Sequence, residues 1–314
     1  MSLLIGIDVG GTNLRLGVVK SSAGVLQLLE EIRFRADFSA MCKAYSPAQA
    51  WQHILNTTAE AIQNVRGQYP DIAAVGIGFP GFIDPQTQKI AQSPNLPGLN
   101  DVDLNADLSQ LINLPVVVEN DALAAAYGEY ANQYCAQNTN LIYIGLGTGV
   151  GGGLILNGQP FQGDHGVAME VGHIIVQPYG RLCGCGNAGC VEQYASASGV
   201  AKTYFDATNQ DCHASEIATM AGQGNQAALD AYALAGKLLA QALGHTLKVI
   251  DVKKIVIGGG MSASWDLMQK AFNLQLQQDL IPVLRNQVAI SVSSMGDQAG
   301  IIGAAMLAQK KPRN

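Results

Sequence analysis

"LLIGIDVGGTNLRLGVV", residues 3–19, and "LIYIGLGTGVGGGLILNG", residues 141–158, decide how the chain is read. Each runs as an apolar strand, a Gly-rich turn and a second apolar strand. In the first, Asp8 closes the strand, and Gly10, Gly11 and Thr12 make the turn before Asn13. In the second, Gly147, Thr148, Gly149 and Gly151 fall at the turn. Glycines there let backbone N–H groups come close to a phosphate, and a carboxylate at a strand end can hold Mg2+ directly or through water. Asp8 fits a plain hairpin equally well, since Asp favours turns. Two hairpins of one design, one opening each half of the chain, imply a duplicated α/β fold: two lobes, each on a mixed sheet, with a cleft between them.

Gly147, Gly149 and Gly152 also satisfy G-x-G-x-x-G, with Glu170 further on, which resembles a dinucleotide fingerprint. That fingerprint must open a helix, whereas "GLILNG" reads as a strand, so the turn is a phosphate hairpin with Thr148 adding a hydroxyl. A third turn, Gly258, Gly259 and Gly260 of "IGGGMS", lies between strand and helix. It is either a tight connection or a place where an adenine ring lies on bare backbone. No Walker sequence occurs. Together the three turns point to a nucleotide clamped across the cleft.

Between the hairpins, residues 47–66 show helical spacing and "IAAVGIGFP" reads as a buried strand. "VDLNADLSQLI" is a short helix, "PVVVEN" a strand and "DALAAAYGEYA" the helix after it. The second half continues with a helix over 225–249, the strand "KIVIGGG", a helix over 264–279, the strand "VAISVSS" and a final helix, "AGIIGAAMLAQ". The predicted lobes are 1–118 with 300–314, and 119–299 carrying the loop 173–190.

Composition narrows the classes. The 314 residues are 48% hydrophobic and 13% charged, enough for a sizeable core and against disorder. A net charge of -6, a pI near 5.3 and no basic run disfavour nucleic acid and anionic membranes. "MSLLIGIDVGG" is too short and too soon acidic for a signal peptide. The longest apolar stretch is Gly-rich and shorter than the ~20 residues of a spanning helix. The expected compartment is the cytoplasm, which is reducing, so the six cysteines are no disulfide framework. Cys42, Cys135 and Cys212 are scattered and read as inert.

The other three sit in "GHIIVQPYGRLCGCGNAGCVE", residues 172–192, as His173-x9-Cys183-x-Cys185-x4-Cys190. A CxC pair makes a poor disulfide, and a redox reading leaves His173 unexplained. Cys3His is a closed tetrahedral zinc set with no position for water, so the metal is expected to be structural. Glu170 and Glu192 bracket the ligands. Upstream, "VENDALAAA" puts Asn120 and Asp121 at a strand-to-helix junction, where either is a natural helix cap. The functional alternative makes Asp121 a base and Asn120 a substrate hydrogen-bonder.

"GIDVGGTNLR", "PGFIDPQT", "SPNLPG", "ENDALAAA", "GTGVGGG", "MEVGH", "CGCGNAGCVE" and "VIGGG" occur in the order seen in the ROK family, and the resemblance spans nearly the whole chain. That family holds bacterial sugar kinases and sugar-sensing repressors of the actin-like ATPase (ribonuclease H-like) fold. The resemblance implies that Asp8, Gly10, Gly11, Thr12, Asn13, Gly147, Thr148, Gly149 and Gly151 hold ATP phosphates and Mg2+, with Gly258, Gly259 and Gly260 on the adenosine side. It implies that Gly81, Asn95, Asn120, Asp121, Glu170, His173 and Glu192 contact the sugar, with Asp121 as catalytic base. His173 would bind zinc through one ring nitrogen and offer the other to a sugar hydroxyl. Arg15 is left without a role.

The implied activity is transfer of phosphate from ATP to the 6-hydroxyl of a hexose, glucose foremost, by a homodimer. N-acetylglucosamine, mannose, fructose and allose are the alternatives. A sugar-sensing regulator is the competing class, but those proteins carry a helix-turn-helix before the first hairpin, which here begins at residue 3. Two departures stand out. Met169 replaces the Gly that usually precedes the sugar-site Glu. Phe82 stands where N-acetylmannosamine kinases tend to carry Arg. The metal loop is expected to serve the sugar alone, with the phosphate hairpins elsewhere.

Overall fold

A computed structural model describes residues 2–10, 13–22, 25–134 and 137–309; Gly11 and Thr12 of the first turn, and Cys135, lie outside them. In chain order the strands are β1 (Ser2–Val9), β2 (Asn13–Ser22), β3 (Val25–Arg35), β4 (Ile72–Phe79), β5 (Phe82–Ile83), β6 (Ile90–Gln92), β7 (Asn100–Val102), β8 (Val116–Asn120), β9 (Leu141–Leu146), β10 (Val150–Leu156), β11 (Gln159–Pro160), β12 (Lys254–Gly258) and β13 (Ala289–Val292). The helices are α1 (Phe38–Ala44), α2 (Pro47–Arg66), α3 (Leu104–Ile112), α4 (Asp121–Glu129), α5 (Glu192–Ala195), α6 (Ala197–Thr208), α7 (Ala214–Gly222), α8 (Gln226–Ile250), α9 (Trp265–Asp279) and α10 (Gln298–Gln309).

The duplication is explicit in the sheets. One has the order β3-β2-β1-β4-β8 and the other β11-β10-β9-β12-β13. In the first, β1 pairs antiparallel with β2 and parallel with β4, which pairs parallel with β8. In the second, β12 pairs parallel with both β9 and β13. The small sheet β5-β6-β7 falls where the sequence reading has no strand; with two or three residues per strand, it has no room for alternation.

The chain divides into two compact units: 1–138 with 153–168 and 297–314, and 139–152 with 169–296. The boundary expected after residue 118 falls elsewhere, because β8 runs on to Asn120 and α4 packs against α10. In the first unit Ile5, Ile7, Val75, Ile77 and Val118 are buried with Ile54, Ile62 and Phe79 in one core, each such side chain contributing about 1.5–3 kcal/mol. Helix α2 follows its sequence: Pro47 is its first residue, Ser46 and Gln49 form a capping box, and Ala50, Ile54, Leu55, Ala61, Ile62 and Val65 make the buried stripe. Trp51 Nε1 donates to Asp107 Oδ2 at 2.8 Å and ties α2 to α3.

Two glycines inside strands serve close packing. Helix α10 lies on β1 and β4 so closely that a methyl on Gly6 would overlap the Ile301 carbonyl, and one on Gly76 the Ala304 carbonyl. Among the described residues no helix is long and apolar enough to cross a membrane.

Candidate active site and metal cluster

The first hairpin brings Asp8 opposite Arg15 across β1 and β2. Their side chains form an ion pair at 3.4 Å, and Arg15 also pairs with Asp297 at the head of α10. Burial pushes the Asp8 carboxyl up, Arg15 pulls it back and Asp297 adds to the rise. The Arg15 hydrogen bond holds the Asp297 carboxyl down. The sequence reading left Arg15 without a role, although the pairing of Val9 with Leu14 already sets residue 8 opposite residue 15. At the turn Gly10 N–H donates to the Asn13 carbonyl at 2.8 Å.

At the end of β8, Asn120 is the cap of α4: its Oδ1 accepts from Leu123 N–H at 3.0 Å, and its Nδ2 donates to the Gly81 carbonyl at 3.2 Å. Asp121 is therefore the first helical residue and not the cap. Its Oδ1 accepts from Ala122 N–H at 2.8 Å. Asn95 is exposed on the turn between β6 and β7. The buried neighbour Glu119 was not singled out by sequence. Its oxygens accept from Asn120 N–H at 2.8 Å and from Gln162 Nε2 at 2.7 Å. Burial pushes its carboxyl up to about 7 against those two hydrogen bonds.

In the second unit, Glu170, His173 and Glu192 come together. Glu170 Oε2 lies 3.7 Å from His173 Nε2. Burial raises the Glu170 carboxyl, His173 lowers it and nearby Glu192 raises it further. Met169 holds a left-handed φ of +67°, and its carbonyl accepts from Val171 N–H at 2.6 Å. That conformation explains why Gly suits the position.

His173 turns its other nitrogen, Nδ1, to Cys183 Sγ at 3.6 Å, and Cys185 Sγ lies 3.6 Å from Cys190 Sγ. The four donor atoms all fall within 4.8 Å of one another. Zinc bonds of about 2.3 Å to sulfur and 2.0–2.1 Å to nitrogen give a tetrahedron with edges of about 3.5–3.8 Å, so the donors fit zinc in number and type, and the two 3.6 Å separations match its edges. The loop is a miniature ribbon with bridges Ile175 to Cys190 and Leu182 to Ala188. Gly189, at φ +86°, presses on the Gln177 carbonyl where no side chain fits. Cys42 and Cys212 are free and outside the cluster.

Arg181, also missed by sequence, fastens this ribbon. Its Nη1 donates to the carbonyls of Gln193 and Gly199 and to Thr203 Oγ1, its Nη2 pairs with Asp206 at 2.8 Å, and its guanidinium lies 4.6 Å from the Tyr194 ring centre.

The metal loop and the second hairpin are not separate, contrary to expectation. Glu192 Oε2 accepts from Val150 N–H at 3.0 Å, Ala197 N–H donates to the Gly147 carbonyl at 2.9 Å, and Ser198 Oγ donates to the Thr148 carbonyl at 3.1 Å. The chain that leaves Cys190 runs directly along the hairpin tip. Thr148 is exposed there. Gly151 follows on β10. In the third turn Gly258 and Gly259 press on Tyr143 and Leu146 of β9, while Gly260 has open space on its Cβ side.

Known proteins share this architecture. A glucokinase of Streptomyces coelicolor is 32% identical over 99% of this chain and 98% of its own. An N-acetyl-D-glucosamine kinase of Haemophilus influenzae is 29% identical over 96% of this chain and 98% of its own. The crystal structure of a ROK family glucokinase from Streptomyces griseus, in complex with glucose and AMPPNP, superposes with a TM-score of 0.82 at 31% identity, covering 98% of this chain and all of that one. The fold is that of the ROK kinases, the actin-like ATPase fold. The ROK family model matches residues 4–311, a span that takes in both sheets, both hairpins and the metal cluster, and the chain belongs to the ROK family.

Proposed function

We propose that the chain is a cytoplasmic ATP-dependent hexose 6-phosphotransferase with glucose as foremost substrate. The observation that carries this reading is the grouping of Glu170, His173 and Glu192 around a loop with a zinc-type donor set, with Glu192 also bonded to a phosphate-type hairpin. Carboxylates and an imidazole fixed in this way suit the vicinal hydroxyls of a sugar, and buried polar partners discriminate strongly between hydroxyl patterns. Zinc, when bound by His173, Cys183, Cys185 and Cys190, supplies rigidity and no chemistry. His173 would offer Nδ1 to the metal, and its Nε2, beside Glu170, would be left for a hydroxyl.

In this reading Asp121 takes the proton of the 6-hydroxyl as it attacks the γ-phosphate. Asn120 and Gly81 contact the sugar. Asp8 would hold Mg2+, which when bound would supply charge neutralisation at the phosphates, and the hairpin N–H groups would share that task. Gly258, Gly259 and Gly260 take the adenosine. The similarity to N-acetyl-D-glucosamine kinases supports a second reading with that sugar.

A coupled assay of ADP release over glucose, N-acetylglucosamine, mannose, fructose, allose and N-acetylmannosamine tests both. Glucose is expected to show the highest kcat/KM. N-acetylmannosamine is expected to be poor, since half-buried Phe82 beside Gly81 offers no cation. A maximum at N-acetylglucosamine selects the second reading, and no turnover with any hexose refutes the kinase. Light scattering tests the homodimer that the resemblance implies.

A further inference from the structure

We propose that residues 192–198 form a strap that couples hexose binding to the shape of the phosphate hairpin, with Ala197 and Ser198 as positioning residues. The proposal rests on the kinase reading above, in which Glu192 contacts the sugar. Four consecutive hairpin residues meet the strap. The Gly147 carbonyl accepts from Ala197 N–H, the Thr148 carbonyl from Ser198 Oγ, and Val150 N–H donates to Glu192. Gly149 lies against the Glu192 carboxylate so closely that any side chain would overlap it.

A trans peptide is planar, with its C=O and N–H pointing opposite ways. Fixing the Gly147 carbonyl on the strap therefore turns the Thr148 N–H away from it, and fixing the Thr148 carbonyl turns the Gly149 N–H away likewise. Gly147 N–H already serves the Gly149 carbonyl at 3.0 Å, and Val150 N–H serves Glu192. The amides that the turn can aim at a phosphate are thus those of Thr148 and Gly149, and the strap aims both.

Glu192 joins the two tasks in one carboxylate. A hydroxyl bound there orders the same group that holds Val150, so the hairpin is better preformed when sugar is present. The strap is itself anchored: Val191 N–H donates to the Ile174 carbonyl at 2.9 Å, and Ser196 caps α6 by accepting from Gly199 N–H at 3.0 Å. Sugar and nucleotide then favour each other's binding by the same factor, as linkage requires.

The experiment is calorimetric binding of AMPPNP with and without saturating glucose, in the unmodified protein and two variants. Ala197 is the first residue of α6, and Ser196 before it is extended (φ −86°, ψ 170°), so proline suits both positions. Ala197→Pro removes only the donor to Gly147; Ser198→Ala removes only the bond to Thr148. In the unmodified protein glucose is expected to tighten AMPPNP binding about fivefold or more. Ala197→Pro is expected to keep its glucose affinity and melting temperature while that ratio falls to about one. Ser198→Ala is expected to shift the same way by a smaller factor. Should Ala197→Pro melt early, Ser198→Ala decides alone. Variants that keep the full ratio, or an unmodified protein that binds both ligands without coupling, overturn the strap. No glucose binding at all overturns the kinase reading and the strap with it.

Discussion

The Nδ1 atom of His173 lies 3.6 Å from the Sγ of Cys183, and this contact decides which ring nitrogen is turned away from the cysteines. With Nδ1 committed to the cluster, Nε2 is the nitrogen that faces Glu170. About one zinc per chain is expected by elemental analysis of protein purified without chelator. Cys185→Ser should lose the metal and weaken glucose binding. Because the strap leads from Cys190 to the hairpin, it should weaken AMPPNP binding as well. Protein free of zinc with full kinase activity would refute the assignment.

Asp121→Asn separates chemistry from helix structure cleanly, since Asn120 supplies the cap. Asn cannot accept the hydroxyl proton, so kcat should fall roughly 10²- to 10⁴-fold, the range expected for a positioned base. Loss of the negative charge at the helix start should lower stability by no more than about 1 kcal/mol. Steady-state kinetics together with a denaturant titration check both numbers. A near-normal kcat removes Asp121 from the mechanism.

Glu119 makes stability depend on pH in a defined direction. Its carboxyl is raised from 4.5 to about 7 by burial, so the folded chain favours the neutral form. The folded state holds the extra proton between these values. Its stabilising effect is full below pH 4.5 and is lost as pH rises towards 7, a loss on the order of 3 kcal/mol. Glu119→Gln has no such proton to release. Denaturation at pH 5 and pH 8 should show the variant gaining on the unmodified protein as pH rises. Parallel stability curves for the two proteins would contradict this.

Met169 bears a side chain at φ +67°, where the backbone favours Gly. Met169→Gly should be nearly neutral in melting temperature, relief of strain offsetting the greater freedom of the unfolded chain. Met169→Val should destabilise by about 1–3 kcal/mol, because a β-branched side chain tolerates this conformation poorly. Thermal melts of the pair distinguish them; a Val variant as stable as the Gly variant contradicts the strain.

The sequence alone determined those features that depend on local pattern. Apolar alternation around Gly-rich turns marked β1 with β2 and β9 with β10, and helical spacing marked α2, α8, α9 and α10 within a residue or two. The spacing of His173, Cys183, Cys185 and Cys190 was enough to propose the ligands, because a short loop can bring them together without help from distant segments. Only tertiary structure decided the rest. Arg15 meets Asp297 from the far end of the chain, Glu119 meets Gln162, and Ser198 meets Thr148. It also showed that Asn120 caps α4 while Asp121 begins it, a choice set by backbone angles that two equally good capping residues leave open. Local pattern reports what a residue prefers within a few neighbours along the chain. A hydrogen bond between residues 50 positions apart exists only once packing has brought their strands and helices to one place.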